Sequence, residues 1–427
     1  MDISNLDIDR IHRAFSPARE IQNPKDFVGR RAEIESGISA LMNRAGFLAI
    51  YGLRGVGKSS IAQQMMLIAK GDVTIPNALA IKRLLPQKGF NYLVHYIRCD
   101  GFVKNIKDLL KRILFGDDRN PSLFSLTKTG NRRLAEFKKT VSADAGVGVF
   151  GAKVQGKRVK EEKYENYVSD DLIQQFRQLL GIIQRDNNKN TGLLIIIDEF
   201  DTIADKEGFS SLVKSCSSDY VKFGIVGIAT TVSELIRDHS SIGRQIDFIH
   251  VPLMPETELS LILRRGEFSV QRIINFEEEA ESLITSHAEG FPYFVHLLGK
   301  ESMLLSFQKK STRVTKQDLI SIFKKITEGR LNTIFESLYH DAVKNSPQRE
   351  ILLKIFADSS EDEINTGPVY SLAQELEVTN PPQLMKHLTT PDNPNVAPVL
   401  QKVRDRHFRF TDPVFKVYAR LRNFKFD

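Results

Sequence analysis

Five short runs of the chain are mostly apolar and rich in β-branched residues: 46–51, 91–98, 193–197, 223–230 and 246–251. Before the first and between the next, 31–43, 59–69, 103–115 and 170–185 carry apolar residues at helical spacing. A strand that is apolar throughout, rather than on alternate residues, is buried on both faces. Helices between successive strands supply the crossovers that parallel pairing requires. The pattern predicts an α/β fold, a parallel five-stranded sheet covered by helices.

Two regions depart from this alternation. Residues 116–168 separate the helix after the second strand from the third strand, and read as an insertion. Within it Val147, Val149, Val154 and Val159 stand among glycines, which predicts a β-hairpin. Residues 1–26 are polar with weak periodicity and predict a lead-in arm before a first domain of residues 27–254. After Pro255 the strands stop. Helical patterns at 256–265, 276–287, 292–307 and 316–329, with no strand between them, predict a small helical domain of residues 255–340. Residues 341–427 read as three helices (349–357, 369–376, 382–388), two strands (399–403, 407–410) and a closing helix (413–423). Three helices and a hairpin are the winged-helix arrangement, a variant of helix-turn-helix. In the closing segment Phe408, Phe410, Phe415, Tyr418 and Leu421 read as core. Arg404, Arg406, Arg409, Arg420 and Arg422 read as polar-face residues.

A length of 427 residues suits two or three domains, and 41% hydrophobic with 26% charged residues is ordinary globular composition. The first residues carry no apolar run, and the longest such run, 193–197, is far too short for a bilayer. Cys99 and Cys216 lie far apart with no ligand pattern around them. The expectation is a cytoplasmic protein without a signal peptide or a structural metal. The net charge of +7 is mild, but its distribution is uneven. Residues 126–163 carry 10 basic and 4 acidic side chains, and 399–427 carry 8 and 3, so the rest of the chain is slightly acidic.

The candidate chemistry begins directly after the first strand, in GLRGVGKSS, residues 52–60. It fits G-x-x-x-x-G-K-[ST] in a strand–loop–helix setting, the arrangement of a P-loop. There, backbone N–H groups from Gly52, Arg54, Gly55, Val56 and Gly57 turn toward one point and cradle phosphate oxygens, and the following helix, with Ser60 in its first turn, adds its positive end. Lys58 reaches the β- and γ-phosphates and the Ser59 hydroxyl ligates Mg²⁺. LLIIIDEFD, residues 193–201, delivers Asp198 and Glu199 at the C-terminal end of an apolar strand, where ligands bind in open α/β sheets. Asp198 is placed to hold Mg²⁺ through its waters, and Glu199 to polarise a water attacking the γ-phosphate. The expected cofactors are ATP or ADP and Mg²⁺.

Taken in order, FVGR at 27–30, the P-loop, IIIDEFD, the strand FGIVGIATT, a helical lid and a winged helix resemble the AAA+ ATPases of the origin-recognition initiator type. The same order is similar to the neighbouring STAND signalling ATPases. The resemblance covers nearly the whole chain apart from 116–168. It implies that Phe27 and Val28 contact adenine. Thr230 or Thr231 would be the polar sensor of the γ-phosphate, and Arg244 an arginine presented to a neighbouring subunit's ATP. Residues 289–292, EGFP, lack the lid arginine that initiator-type members often carry. Their Gly-x-Pro form is closer to the STAND side, where the region of Pro292 abuts the nucleotide.

Two readings of the partner follow. In one, ATP drives assembly of a homo-oligomer on double-stranded DNA, and Lys153, Lys157, Arg158, Arg404, Arg406 and Arg409 contact phosphates. In the other, the chain is a nucleotide switch in signalling or antiviral defence, and its partner is a separate effector protein. The expected recognition helix, PPQLMKHLTT, carries one Lys and one His, a poor charge for a DNA groove. No nuclease or protease constellation stands in the sequence, so any such effector is another chain.

Overall fold

The computed structural model describes residues 3, 6–17, 19–44, 47–128, 172–236, 246–331, 333–390 and 397–422. The chain forms two compact units. One comprises Met1–Glu20, Leu53–Gly57 and Pro252–Asp427, the other Ile21–Gly52 and Lys58–Val251.

The second unit is built on the expected sheet. Its strands are β1 (Phe47–Gly52), β2 (Tyr92–Arg98), β3 (Gly192–Asp198), β4 (Val221–Ile228) and β5 (Ile246–Val251), in the order β2-β3-β4-β1-β5. Every pairing is parallel. All seven residues of β3 are buried, which is why this segment reads as an unbroken apolar run. Helices Arg31–Met42, Lys58–Ala69, Ile106–Phe115 and Leu172–Asp186 bury their apolar stripes in this unit. Helix Ile106–Phe115 starts three residues later than its pattern predicts. Asn105 accepts the Asp108 N–H as its cap, and Val103 closes a turn on Asp100 instead. The predicted hairpin, with Lys153, Lys157 and Arg158, lies outside the described residues, as does Arg244.

In the first unit, helices Glu256–Ser269, Glu278–His287, Pro292–Gln308 and Lys316–Thr327 match the predicted series. The expectation of no strand among them is corrected. Asn275–Phe276 and Arg313–Val314 form a short parallel pair, closed by Asn275 N–H to Thr312 O and Glu277 N–H to Val314 O. Two-residue strands carry no periodicity to read. Helix Thr333–Val343 is also additional.

The remaining helices are Pro347–Asp358, Thr366–Glu375, Pro381–Thr389 and Pro413–Arg422. The predicted hairpin forms from Leu400–Arg404 and His407–Phe410, and gains a third antiparallel strand, Ile364–Asn365. Phe410, Phe415, Tyr418 and Leu421 are buried as expected, while Phe408 is only half-buried. Arg420 and Arg422 are a correction. They are half-buried and internally engaged. Arg420 pairs with Glu289 and donates to the Ala357 and Ser359 carbonyls, and Arg422 pairs with Glu336 and donates to the Thr327 carbonyl. A cation half withdrawn from water is held by anions and carbonyls of its own fold.

The predicted lead-in arm also differs. Ile8–Ala14 is helical, capped by Asp7, whose carboxylate accepts the Asp9 N–H. Ile11 and Phe15 are fully buried. A side chain added at Gly266 or Gly299 would strike the Phe15 ring within 2.2 to 2.7 Å, so two glycines of the helices Glu256–Ser269 and Pro292–Gln308 make room for it. Among the described residues no helix is long and apolar enough to cross a membrane.

Candidate functional site

The loop after β1 has the backbone that a phosphate cradle needs. Gly57 has φ +97, in the left-handed region open to glycine, although nothing crowds the place where its Cβ would be. Gly52 is required by space: a Cβ there would stand 2.4 Å from the Val251 carbonyl of β5. Lys58 opens helix Lys58–Ala69 and is 8% exposed. An ammonium so far removed from water needs anions or carbonyls for its three N–H groups. Ser59 follows it in the first helical turn, half-buried.

The neighbours of the loop residues are mixed. Leu53–Gly57 belong to the first unit, where Arg54 pairs with Asp412 at 3.5 Å and a side chain on Gly55 would meet Val414. Val56 is buried. The Ser60 hydroxyl accepts the Ile21 N–H at 3.0 Å, and Gln64 donates to Ile21 O at 2.7 Å. Ser60 thus fastens the segment entering the domain, and its hydroxyl faces that backbone.

At the end of β3, Asp198 is 2% exposed. Its Oδ1 accepts the Glu199 N–H at 2.8 Å, and its Oδ2 accepts the Tyr96 hydroxyl at 2.6 Å. Glu199 takes a left-handed conformation, φ 56 and ψ 35. That kink ends the strand and starts the turn Phe200–Thr202, leaving the Glu199 carboxylate half exposed while Asp198 stays inside. The two neighbouring carboxylates are thereby given opposite environments, a non-glycine kink of the sort that costs of order 1–3 kcal/mol and gathers at functional sites.

β2 brings two residues that the sequence reading missed. In the parallel register Arg98 stands opposite Asp198, and Tyr96 lies two positions earlier on the same face. Arg98 donates through Nη2 to the Tyr96 hydroxyl at 3.3 Å. Its guanidinium lies 4.0 Å from Asp198 Oδ2 and 3.9 Å from Glu199 Oε1. Burial and the charge of Asp198 push the Tyr96 phenol well above its usual range, so it is a donor at any ordinary pH. Polar side chains at i and i+2 near the C-terminal end of β2, the edge where ligands bind, were the available signal. Next to them, burial pushes the Cys99 thiol up to about 12, so it stays neutral.

The end of β4 is organised by Glu234. Thr230 donates to Glu234 Oε2 through its N–H at 2.7 Å and its hydroxyl at 2.8 Å. Thr231 caps helix Val232–Leu235 in a capping box with the same residue. Asp201 accepts the Ile228 N–H at 2.8 Å and joins the ends of β3 and β4. Phe27 is buried and Val28 half-buried, just before helix Arg31–Met42. Pro292, in the first unit, is the first residue of helix Pro292–Gln308. Arg404 and Arg406 are exposed, and Arg409 is half-buried. Arg404 is matched by Glu363 at 3.1 Å.

Among the described residues no cluster of three or more His, Cys, Asp or Glu side chains could hold a metal alone. The donors present, one hydroxyl and one buried carboxylate, fit Mg²⁺, which keeps waters and takes one or two protein oxygens together with phosphates.

No family model matches the chain, and no curated protein matches it. Among solved structures it is similar to the Aeropyrum pernix ORC2 protein in its ADPNP-ADP complexes, at 16% identity and a TM-score of 0.47 over 96% of both chains. It is similar to Drosophila ORC bound to DNA, at 11% identity and a TM-score of 0.42 over 98% of this chain and 93% of that one. It is also similar to the Thermotoga maritima RuvB Holliday junction branch migration motor, at 14% identity and 0.43 over 93% and 97%.

Proposed function

We propose that the chain is an ATP-binding and ATP-hydrolysing AAA+ ATPase of the initiator-like type, with an ATPase domain (27–254), a helical lid (255–340) and a winged-helix domain (341–427). The observation that carries this is the pairing of a P-loop after β1 with Asp198 and Glu199 at the same, C-terminal edge of β3, two strands away in the order β3-β4-β1. A phosphate cradle with a carboxylate pair at that edge has the parts of a nucleoside-triphosphate hydrolase.

In this reading the glycine loop and the helix behind it bind the phosphates, and Lys58 neutralises the β- and γ-oxygens. Ser59 and Asp198 would hold Mg²⁺, which when bound spreads the phosphate charge. Glu199, exposed where Asp198 is buried, orients the attacking water and takes its proton. Thr230, held by Glu234, is the sensor residue at the end of β4. Phe27 and Val28 face adenine, and Arg244 serves a neighbouring copy in a nucleotide-dependent assembly. Double-stranded DNA is the proposed partner, met by the exposed cations Lys402, Arg404 and Arg406.

One observation favours a second reading, a STAND-type switch with a protein partner. Much of the C-terminal positive charge is already matched internally: Arg404 by Glu363, Lys402 by Asp405, Arg420 by Glu289 and Arg422 by Glu336.

Lys58→Ala tests the site. Titrated with a fluorescent ADP analogue, it should lose affinity by about a hundredfold or more, as expected when a charge-assisted phosphate contact is removed. Affinity equal to wild type would refute the site.

A further inference from the structure

The contacts around Asp198 assign a role to a residue outside the proposed motifs. We propose that Tyr96 is a positioning residue that aims the Asp198 carboxylate and holds the Arg98 guanidinium at 4.0 Å, short of a direct hydrogen bond to it. The inference rests on the ATPase reading, since it concerns how Asp198 serves the Mg²⁺ of a bound nucleotide.

Each carboxylate oxygen can accept two hydrogen bonds. Oδ1 of Asp198 has one from the Glu199 N–H, and Oδ2 has one from Tyr96. Two donors, one on each oxygen, restrain rotation of the carboxylate and leave each oxygen room for one further donor. Metal-bound waters would need those remaining acceptor positions. A carboxylate this deeply buried cannot recover its orientation through bulk water, so the phenol matters more here than at a surface.

The second part of the role is spacing. Arg98 Nη2 lies 3.3 Å from the Tyr96 oxygen but 4.0 Å from Asp198 Oδ2. The phenol oxygen accepts the Arg98 N–H, and its own O–H donates to the carboxylate. Without it, a short movement turns the 4.0 Å pair into a direct hydrogen-bonded one, and the acceptor positions meant for metal waters are used by the guanidinium.

Tyr96→Phe keeps the ring and removes the hydroxyl. Binding of a fluorescent ADP analogue is measured in EDTA and against a MgCl₂ titration, with thermal unfolding of the nucleotide-free protein alongside. In EDTA the variant should bind as wild type does. The Mg²⁺ concentration giving half the effect should rise about tenfold, the size expected for a hydrogen bond to a charged group. Adding Arg98→Gln to Tyr96→Phe should recover part of that rise, because no guanidinium is left to close on Asp198.

A Mg²⁺ titration identical to wild type, whatever happens to the melting temperature, overturns the proposal and leaves Tyr96 a structural residue. A double variant that stays at the value of the single one overturns the spacing role. If wild-type protein binds the analogue with no dependence on Mg²⁺, the ATPase reading fails at Asp198 and the proposal falls with it. If it does not bind at all, the whole nucleotide site falls. These results are distinct from a failure of Tyr96 alone.

Discussion

His95 shows how much a single residue of β2 can reveal about its surroundings. It is 1% exposed, and its Nε2 has no hydrogen-bond partner. Burial pushes its pKa from 6.5 down to about 4, with the Ile113 backbone opposing. The unfolded chain therefore takes up the proton first, and stability rises with pH across this window. Full stability from His95 is present above about 6.5 and is lost as the pH falls toward 4, at roughly 1.4 kcal/mol per pH unit. Urea unfolding at several pH values should show that limb, and His95→Gln should flatten it. An equal slope in the variant would place the acid sensitivity elsewhere. At this scale the sequence revealed what is contiguous. The P-loop and the Asp198–Glu199 pair are local strings, so their chemistry could be read directly. Tyr96 and Arg98 acquire meaning only through the β2–β3 register, which sets Arg98 against Asp198 across about 100 residues of chain.

At the scale of elements, the strands were readable because β3, β4 and β1 lie inside the sheet and are almost wholly buried, while the edge strands β2 and β5 keep enough apolar residues to show despite His95, Arg98, Asp247 and His250. The N-terminal helix was not. Seven residues are too few to hold a helix by propensity, and tertiary packing must do so. Ile11 and Phe15 supply it, the latter entering the space left by Gly266 and Gly299. Nothing local in a polar arm signals that two glycines more than 250 positions away will receive its phenylalanine. Phe15→Ala should destabilise the unit by about 3–5 kcal/mol, the usual cost of emptying a fully buried aromatic site. Chemical denaturation would measure it, and a cost below about 1 kcal/mol would mean that the arm is not part of the core. The two-residue strand pair was hidden for the same reason, being too short to show a period although Phe276 and Val314 are buried in it.

For the molecule as a whole, the question is what the nucleotide site does for the rest of the chain. The sequence places positive charge in two segments, and the structure describes one of them. There Lys402, Arg404 and Arg406 are exposed, two of them with acidic partners. Surface pairs of this kind are weak and exchange readily for other anions. DNA phosphates can therefore displace them at low salt, and the contact should fade steeply between about 50 and 200 mM. The most direct measurement of the central claim is ATP turnover by wild-type protein and Glu199→Gln, with and without double-stranded DNA at those two salt concentrations. The account predicts Mg²⁺-dependent turnover that DNA stimulates at low salt only. It also predicts that Glu199→Gln still binds ATP yet hydrolyses it about 10²- to 10⁴-fold more slowly. Turnover in Glu199→Gln equal to wild type would contradict the assignment of β3 as the catalytic strand, and turnover indifferent to DNA at both salts would contradict the DNA-bound assembly.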